Sequence, residues 1–165
     1  MKISHIECFP LKITPQQAYL GGSVEGHNSD YYYRPEYRCV YSRKMETCLV
    51  KITTNEGYVG WGEALAPVVP QVIAELINHL LAPLLIGQSP FASGVLNSRM
   101  YDAMRDRGHI TGYHIDAIAA VDIALWDLKG KILQLPVCQL LGGAYRETIP
   151  CYVSGLPEPD LPARC

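Results

Sequence analysis

A long, strongly apolar helix in the second half of the chain constrains the fold more than any other segment. The sequence predicts that it begins at Thr111 or Gly112 and runs to about Ile132, because Pro136 blocks any continuation. At about 100° per residue, its apolar side chains cover almost the whole circumference and leave only a narrow polar strip. This strip consists of Asp116, Asp127 and Lys131. We therefore expect the helix to be buried between two layers, where its alanines let another element approach closely.

Asp122 falls on an apolar face of this helix, together with Ile118 and Leu125. A buried carboxylate is costly unless it is hydrogen-bonded or paired, so we expect a structural partner for it. Replacing Asp122 with Ala should then destabilise the chain rather than remove a metal site. A catalytic or metal-binding role is the alternative, but Asp122 and Asp127 point about 140° apart and cannot hold one ion together.

Strand patterns dominate the first third of the chain. Residues 2–13 predict one strand, residues 45–54 alternate regularly between two faces, and residues 58–63 return after a short turn as a partner strand. The result is an antiparallel meander of three strands. The first two strands are separated by a long polar segment, residues 14–43, which we expect to form a functional loop or lid.

The rest of the chain predicts mainly helices. Pro70 suits a helix start, and we expect Pro83 to end that helix. The Ser89-Pro90 pair predicts a cap that opens a second helix, which Gly108 closes. Strands first and helices second give an α+β fold, a three-stranded meander followed by a helical bundle. Residues 148–154 predict one further short strand without a partner.

Composition excludes several classes of protein. The chain has 165 residues, of which 48% are hydrophobic and 18% charged, as in an ordinary folded protein. The formal net charge of -2 offers no basic surface for nucleic acid. The six cysteines form no CxxC pair, so we expect reduced thiols. The N-terminus lacks a signal-peptide pattern and the most apolar stretch, residues 68–86, is too interrupted to cross a membrane, so we expect a cytoplasmic location.

Several motifs together resemble one family. Residues 117–142 have the sequence AIAAVDIALWDLKGKILQLPVCQLLG, residues 58–64 have YVGWGEA, residues 84–90 have LLIGQSP, and residues 149–155 have IPCYVSG. This set resembles the mandelate racemase/muconate lactonizing enzyme family, within the enolase superfamily. The resemblance runs over nearly the whole chain.

The resemblance implies an enzyme of two domains. Residues 1–132 would form an N-terminal capping domain like that of enolase, and residues 133–165 a connector and the beginning of a TIM-type (β/α)7β barrel that is otherwise absent. In that barrel a Lys or His base removes the proton α to a substrate carboxylate, and Mg²⁺ held by three carboxylates stabilises the resulting enediolate. None of those residues matches a position here, and Lys129 and Lys131 receive no catalytic role. The resemblance therefore implies Mg²⁺ for a longer parent protein, with no catalytic residue or metal ligand in this chain.

Two loops of the family's capping domain close over the active site. By resemblance, the first comprises residues 14–38 and the second lies near residues 64–69. The candidate substrate-capping residues are Tyr19, His27, Asp30, Tyr31, Tyr32 and Arg34. Their polar and aromatic character favours a hydroxylated or zwitterionic carboxylate as substrate, whereas the alternative is that the tyrosines pack against the protein or a neighbouring subunit.

The leading hypothesis is the capping part of a Mg²⁺-dependent acid-sugar dehydratase. A racemase, epimerase or cycloisomerase of the same superfamily is the alternative within the class, because the residues that separate these reactions lie in the barrel. A catalytically inactive fragment or interaction module is the alternative of another class. We expect a small carboxylate as the partner, no nucleic acid and no membrane, a homo-oligomer for the full-length form, and no catalysis by the chain alone.

Overall fold

The computed structural model describes residues 1–14 and 29–152, and its main sheet is the predicted meander. Strand β1 (Ile3–Ile13) pairs antiparallel with β4 (Met45–Thr54), which pairs antiparallel with β5 (Val59–Ala64). Every second residue of β4 is buried, as the alternation predicts. The turn between β4 and β5 contains Gly57 at a φ of +86°, a conformation that glycine adopts without strain.

A second, two-stranded sheet lies where the sequence predicted a continuous loop. Strand β2 (Tyr31–Arg34) pairs antiparallel with β3 (Cys39–Ser42). The segment expected as one functional loop or lid, residues 14–43, therefore contains two short strands that the sequence did not predict. Tyrosine and valine favour extended backbone, and a turn that begins at Pro35 brings the two short strands together.

A helix interrupted by a π turn follows the sheet. Helix α1 (Gln71–Leu76) continues through one π-helical turn (Ile77–Leu81) into α2 (Ala82–Leu85). The prediction that Pro83 ends the helix is wrong. The π turn resets the hydrogen-bond register and places this proline in the first turn of α2.

The next helical segment starts as the sequence predicts. The Ser89 hydroxyl accepts a hydrogen bond from the Phe91 N–H at 3.3 Å, which caps a short 3-10 turn (Pro90–Ala92) and the following α3 (Ser93–Arg105). No single helix in residues 1–14 and 29–152 is long and apolar enough to span a bilayer. One pair of helical stretches, Gln71–Leu85 with Pro90–Arg105, reaches that length and composition together but is bent by 114°.

The long apolar helix is α4 (Tyr113–Leu133), and it packs directly on β5. A Cβ atom added to Gly62 would lie 2.0 Å from the Ala120 carbonyl oxygen, and one added to Gly60 would lie 2.2 Å from that of Ala124. The predicted close approach at the alanines is therefore confirmed. The described residues cover this helix on one side. On the other side Ile123 is 50% exposed.

The segment after α4 differs from the prediction. A one-turn helix α5 (Val137–Leu140) follows Pro136 in the expected connector, where no helix was predicted. Residues 148–152 form no strand, because a strand needs a hydrogen-bonded neighbour and the described residues provide none there. Residues 153 and 154, the end of that predicted strand, lie outside the described residues. Five described cysteines are free thiols, as expected: Cys8, Cys39, Cys48, Cys138 and Cys151.

Candidate functional site

The candidate capping residues divide into two groups. Tyr19 and His27 lie outside the described residues. The other four, Asp30, Tyr31, Tyr32 and Arg34, lie at the point where the first loop returns to the sheet, in β2 or directly before it.

Tyr31 belongs to a polar cluster between the two sheets. Its hydroxyl donates a hydrogen bond to Glu46 Oε2 at 2.9 Å and accepts one from Lys12 Nζ at 2.7 Å. The Ser42 hydroxyl donates to Glu46 Oε1 at 2.5 Å, and Lys12 Nζ lies 3.7 Å from the same oxygen. The Glu46 side chain is 0% exposed, so this carboxylate is buried with a lysine as its countercharge and two hydroxyl donors.

Asp30 joins this cluster through Lys12 and is also paired with Lys44. Its carboxylate lies 3.0 Å from Lys44 Nζ and 3.9 Å from Lys12 Nζ. We call Lys12, Asp30, Tyr31, Ser42 and Glu46 the loop-base cluster. The hydrogen bond to Tyr31, with the negative charges of Glu46 and Asp30, raises the pKa of Lys12 above its ordinary value, so the lysine stays protonated.

The second loop is attached to the same cluster. The Val69 N–H lies 2.9 Å from Glu46 Oε2 and 3.2 Å from the Tyr31 hydroxyl, and donates to both. On the preceding residue, the Val68 carbonyl accepts a hydrogen bond from the Tyr113 hydroxyl at 3.0 Å. Val69 adopts a φ of +52°, which is rare for a β-branched residue. Two consecutive residues of the second loop are therefore held by side chains from three other elements.

Tyr32 and Arg34 form a separate group on the hairpin. The Tyr32 ring lies 6.1 Å from the Tyr41 ring, and the Arg43 guanidinium lies 5.1 Å above Tyr32. The Arg34 guanidinium lies 5.0 Å from the centre of the Tyr37 ring and 5.9 Å from that of Tyr41. The structure therefore joins Asp30 with Tyr31 and Tyr32 with Arg34, but it keeps the two pairs in different contacts.

The described residues do not form a metal site. No three His, Cys, Asp or Glu side chains converge within residues 1–14 and 29–152. The acidic groups nearest the loops, Asp30 and Glu46, are already paired with Lys12 and Lys44, so their oxygens do not fit a Mg²⁺ ion. We therefore derive no chemical step through a metal in this chain.

The acidic residues of α4 correct one prediction. Asp122 is only half-buried and makes no hydrogen bond or ion pair within the described part of the chain. The expected structural partner is absent from the described residues, and partial exposure lets solvent hydrate the carboxylate instead.

Asp127 has the structural role that was expected of Asp122. Its Oδ2 accepts a hydrogen bond from the backbone N–H of Trp61 in β5 at 2.7 Å and another from Lys131 Nζ at 2.6 Å. Lys129 Nζ donates to the Ser93 hydroxyl at 2.8 Å. Lys129 therefore connects α4 to the start of α3, whereas Lys131 pairs with Asp127 of the same helix.

Sequence reasoning missed the most buried member of the loop-base cluster, although a signal existed. Glu46 stands in phase with Cys48, Val50 and Ile52, the residues of β4 that face the core. A charged residue in the buried phase of a strand indicates a paired or hydrogen-bonded group. The role of Val69 had no such signal, because glycine is the usual residue at a positive φ.

The meander, the helices packed on it and the two loops that meet at one polar cluster define the class of protein. This architecture is that of an N-terminal capping domain of the enolase superfamily. A family model described as the mandelate racemase / muconate lactonizing enzyme N-terminal domain matches residues 35–142. The chain belongs to this family.

This chain matches only part of the length of its named relatives. The chain is 38% identical over 107 residues to the D-galactarolactone cycloisomerase of Agrobacterium fabrum, covering 65% of this chain and 27% of that protein. It is 40% identical over 122 residues to a D-galactonate dehydratase family member of Paenibacillus sp., covering 69% and 28%. The chain therefore spans little more than a quarter of these relatives.

Solved structures agree with this assignment. A Sinorhizobium meliloti protein, provisionally named an isomerase, superposes with a TM-score of 0.83 at 42% identity over 88% of this chain and 38% of that one. A mandelate racemase/muconate lactonizing protein of Paracoccus denitrificans, complexed with magnesium, superposes with a TM-score of 0.61 at 33% identity over 88% and 31%.

Proposed function

We propose that this chain is the capping part of a longer cytoplasmic enzyme that removes the α-proton of an acid-sugar carboxylate and expels its β-hydroxyl. The chain would supply residues 1–132 as the cap and residues 133–165 as the connector to a barrel. The observation that carries the proposal is the 40% identity over 122 residues to a D-galactonate dehydratase family member, and it is supported by the attachment of both loops to one polar cluster.

The residues of this chain would bind and enclose the substrate rather than react with it. Tyrosine hydroxyls and the Arg34 guanidinium are suitable donors to the hydroxyls and carboxylate of a sugar acid. Tyr19 and His27 remain candidates for the same role. Closing the loops would exclude water from a reaction whose intermediate carries developing negative charge.

The magnesium complex of the Paracoccus relative supports Mg²⁺ as the cofactor of the longer protein. There the ion would stabilise the negative charge that develops on the substrate carboxylate. We expect its ligands and the catalytic base to lie on the barrel, and we expect the longer protein to be a homo-oligomer.

A cycloisomerase is the second candidate, favoured by the 38% identity to D-galactarolactone cycloisomerase. A racemase or epimerase would share the same proton abstraction. A product assay separates these reactions, because loss of the α-proton and the β-hydroxyl gives an enol that tautomerises to a 2-keto acid, with water as the other product.

The test first reads the coding sequence downstream of residue 165. Where the frame continues, the encoded protein is purified with Mg²⁺ and incubated with a panel of aldonic and aldaric acids and their lactones. We expect a 2-keto-3-deoxy acid from at least one member of the panel. Lactone rearrangement without a keto acid would favour the cycloisomerase. A stop codon directly after residue 165 would overturn the proposal in favour of a silent fragment or interaction module.

A further inference from the structure

We propose that Glu46 is a positioning residue that joins the two capping loops into one unit. Its carboxylate holds the end of the second loop against the strand by which the first loop returns to the sheet. The relevance of this coupling to catalysis rests on the proposed function, but the coupling itself does not.

Glu46 contacts three separate segments through two oxygens. Its Oε1 accepts from Ser42 of the hairpin, and its Oε2 accepts from the Tyr31 hydroxyl and the Val69 N–H. Lys12 of β1 supplies the countercharge at 3.7 Å. A carboxylate with a side-chain exposure of 0% has no water to replace these partners, so losing one of them leaves a buried group unsatisfied.

The backbone at Val69 indicates that the second loop is held under constraint. A β-branched residue at a φ of +52° persists only where its surroundings over-determine it, and such residues concentrate at functional sites. Here the Val69 N–H is fixed from one side by Glu46 and Tyr31, while the Val68 carbonyl is fixed from the other side by Tyr113. Weakening the Glu46 contact should therefore let the backbone relax toward ordinary φ values.

The constrained end determines how the rest of the second loop is presented. Ala64 and Ala66 are buried, whereas Leu65 between them is 77% exposed. Leu65 is therefore one of the apolar side chains that this loop exposes, together with Pro67. A shift of the backbone at Val69 would move it, although Glu46 itself does not reach that surface.

The same two strands contain a matched control. Lys12 and Glu46 are direct cross-strand partners in the pairing of β1 with β4, and so are Glu7 and Lys51. The Glu7–Lys51 pair is closer, at 2.7 Å, but it is partly exposed and bonds neither loop. Glu7→Gln therefore removes a carboxylate from the same ladder without touching the loop-base cluster.

The first experiment measures amide hydrogen exchange by NMR in the purified chain. We expect Glu46→Gln to speed exchange of the Val69 amide at least tenfold, a change of about 1.4 kcal/mol in local opening, while the amides of β4 exchange as before. Glu7→Gln should change neither. Unaltered exchange at Val69, or equal acceleration throughout β4, would overturn the proposal because the role would then be absent or merely structural.

A second variant keeps the test decisive if Glu46→Gln does not fold. Tyr31→Phe removes one donor to Glu46 and one acceptor of the Val69 N–H, and it leaves the buried ion pair in place. We expect at least threefold faster exchange at Val69 in this variant. Exchange at the wild-type rate in a folded Tyr31→Phe chain would contradict the coupling.

A kinetic measurement on the longer enzyme tests the consequence for substrate. We expect Glu46→Gln to raise KM at least fivefold and to change kcat less, while Glu7→Gln leaves both unchanged. Inactivity of the wild-type enzyme toward every acid sugar would refute the proposed function and leave the exchange result standing. Faster Val69 exchange with an unchanged KM would refute the positioning role alone.

Discussion

Replacing Gly62 with Ala tests the packing of α4 on β5, the contact on which the whole domain depends. The added Cβ would lie 2.0 Å from the Ala120 carbonyl oxygen and 2.8 Å from the Ala124 nitrogen. Both are backbone atoms on the buried side of α4, so the clash cannot be relieved by turning a side chain. An ordinary van der Waals contact begins at 3.4 Å, so helix and strand would have to move apart by roughly 1 Å or more to relieve the clash.

We expect this change to cost about 3 kcal/mol, the upper part of the range for overpacked cores. For a domain of this size, that corresponds to a fall of roughly 6–12 °C in the melting temperature. Thermal unfolding followed by circular dichroism measures it. Gly94→Ala is the control, since a Cβ there meets no atom within 4 Å and alanine favours the helix. A Gly62→Ala variant that melts within about 2 °C of the wild type would refute the packing argument.

Two further predictions concern charged and titrating groups. Asp127→Ala should lower the free energy of unfolding by about 1–2 kcal/mol because it leaves the backbone N–H of Trp61 without its acceptor. Asp122→Ala should change the free energy of unfolding by less than about 0.5 kcal/mol. Urea titration compares the two variants, and equal losses would contradict the structural role given to Asp127. Burial, with His109 nearby, lowers the pKa of His114. Stability from the neutral form is therefore complete above the unfolded pKa of about 6.5 and is lost as pH falls below it. His114→Leu should flatten the melting temperature between pH 7 and pH 5, and an unchanged slope would count against this origin.

The sheet and the long helix were predictable because their periodicity is strong. Residues 45–54 alternate without interruption, and the register of β4 with β5 follows from that alternation and the short turn. The alanines of α4 likewise indicated a close approach, which Gly60 and Gly62 make possible.

The errors arose where long-range packing decides the local structure. Strands β2 and β3 have four residues each, too few for a period to be recognised against a background of tyrosines. Pro83 normally breaks a helix, and only the π turn before it makes the position acceptable. The orientation of Asp122 depended on what covers α4, which the sequence of the helix alone does not contain.

The candidate site was predicted in part for the same reason. The resemblance placed the capping function in the two loops, and four of the six candidate residues lie in the described part of the chain. The loop-base cluster includes Lys12 and Glu46, which are far apart in sequence and meet only because β1 pairs with β4. A pair of this kind becomes visible only once the register is known.

Loss of a substrate α-proton tests the central claim most directly. Acid sugars would be incubated in D2O with Mg²⁺ and either the 165-residue chain or the protein encoded by the longer reading frame, and the α-proton signal followed by NMR. We expect the α-proton signal to disappear with the longer protein and to persist with the 165-residue chain alone. Loss of the signal with the chain alone would contradict the proposal that it is a cap without catalytic residues.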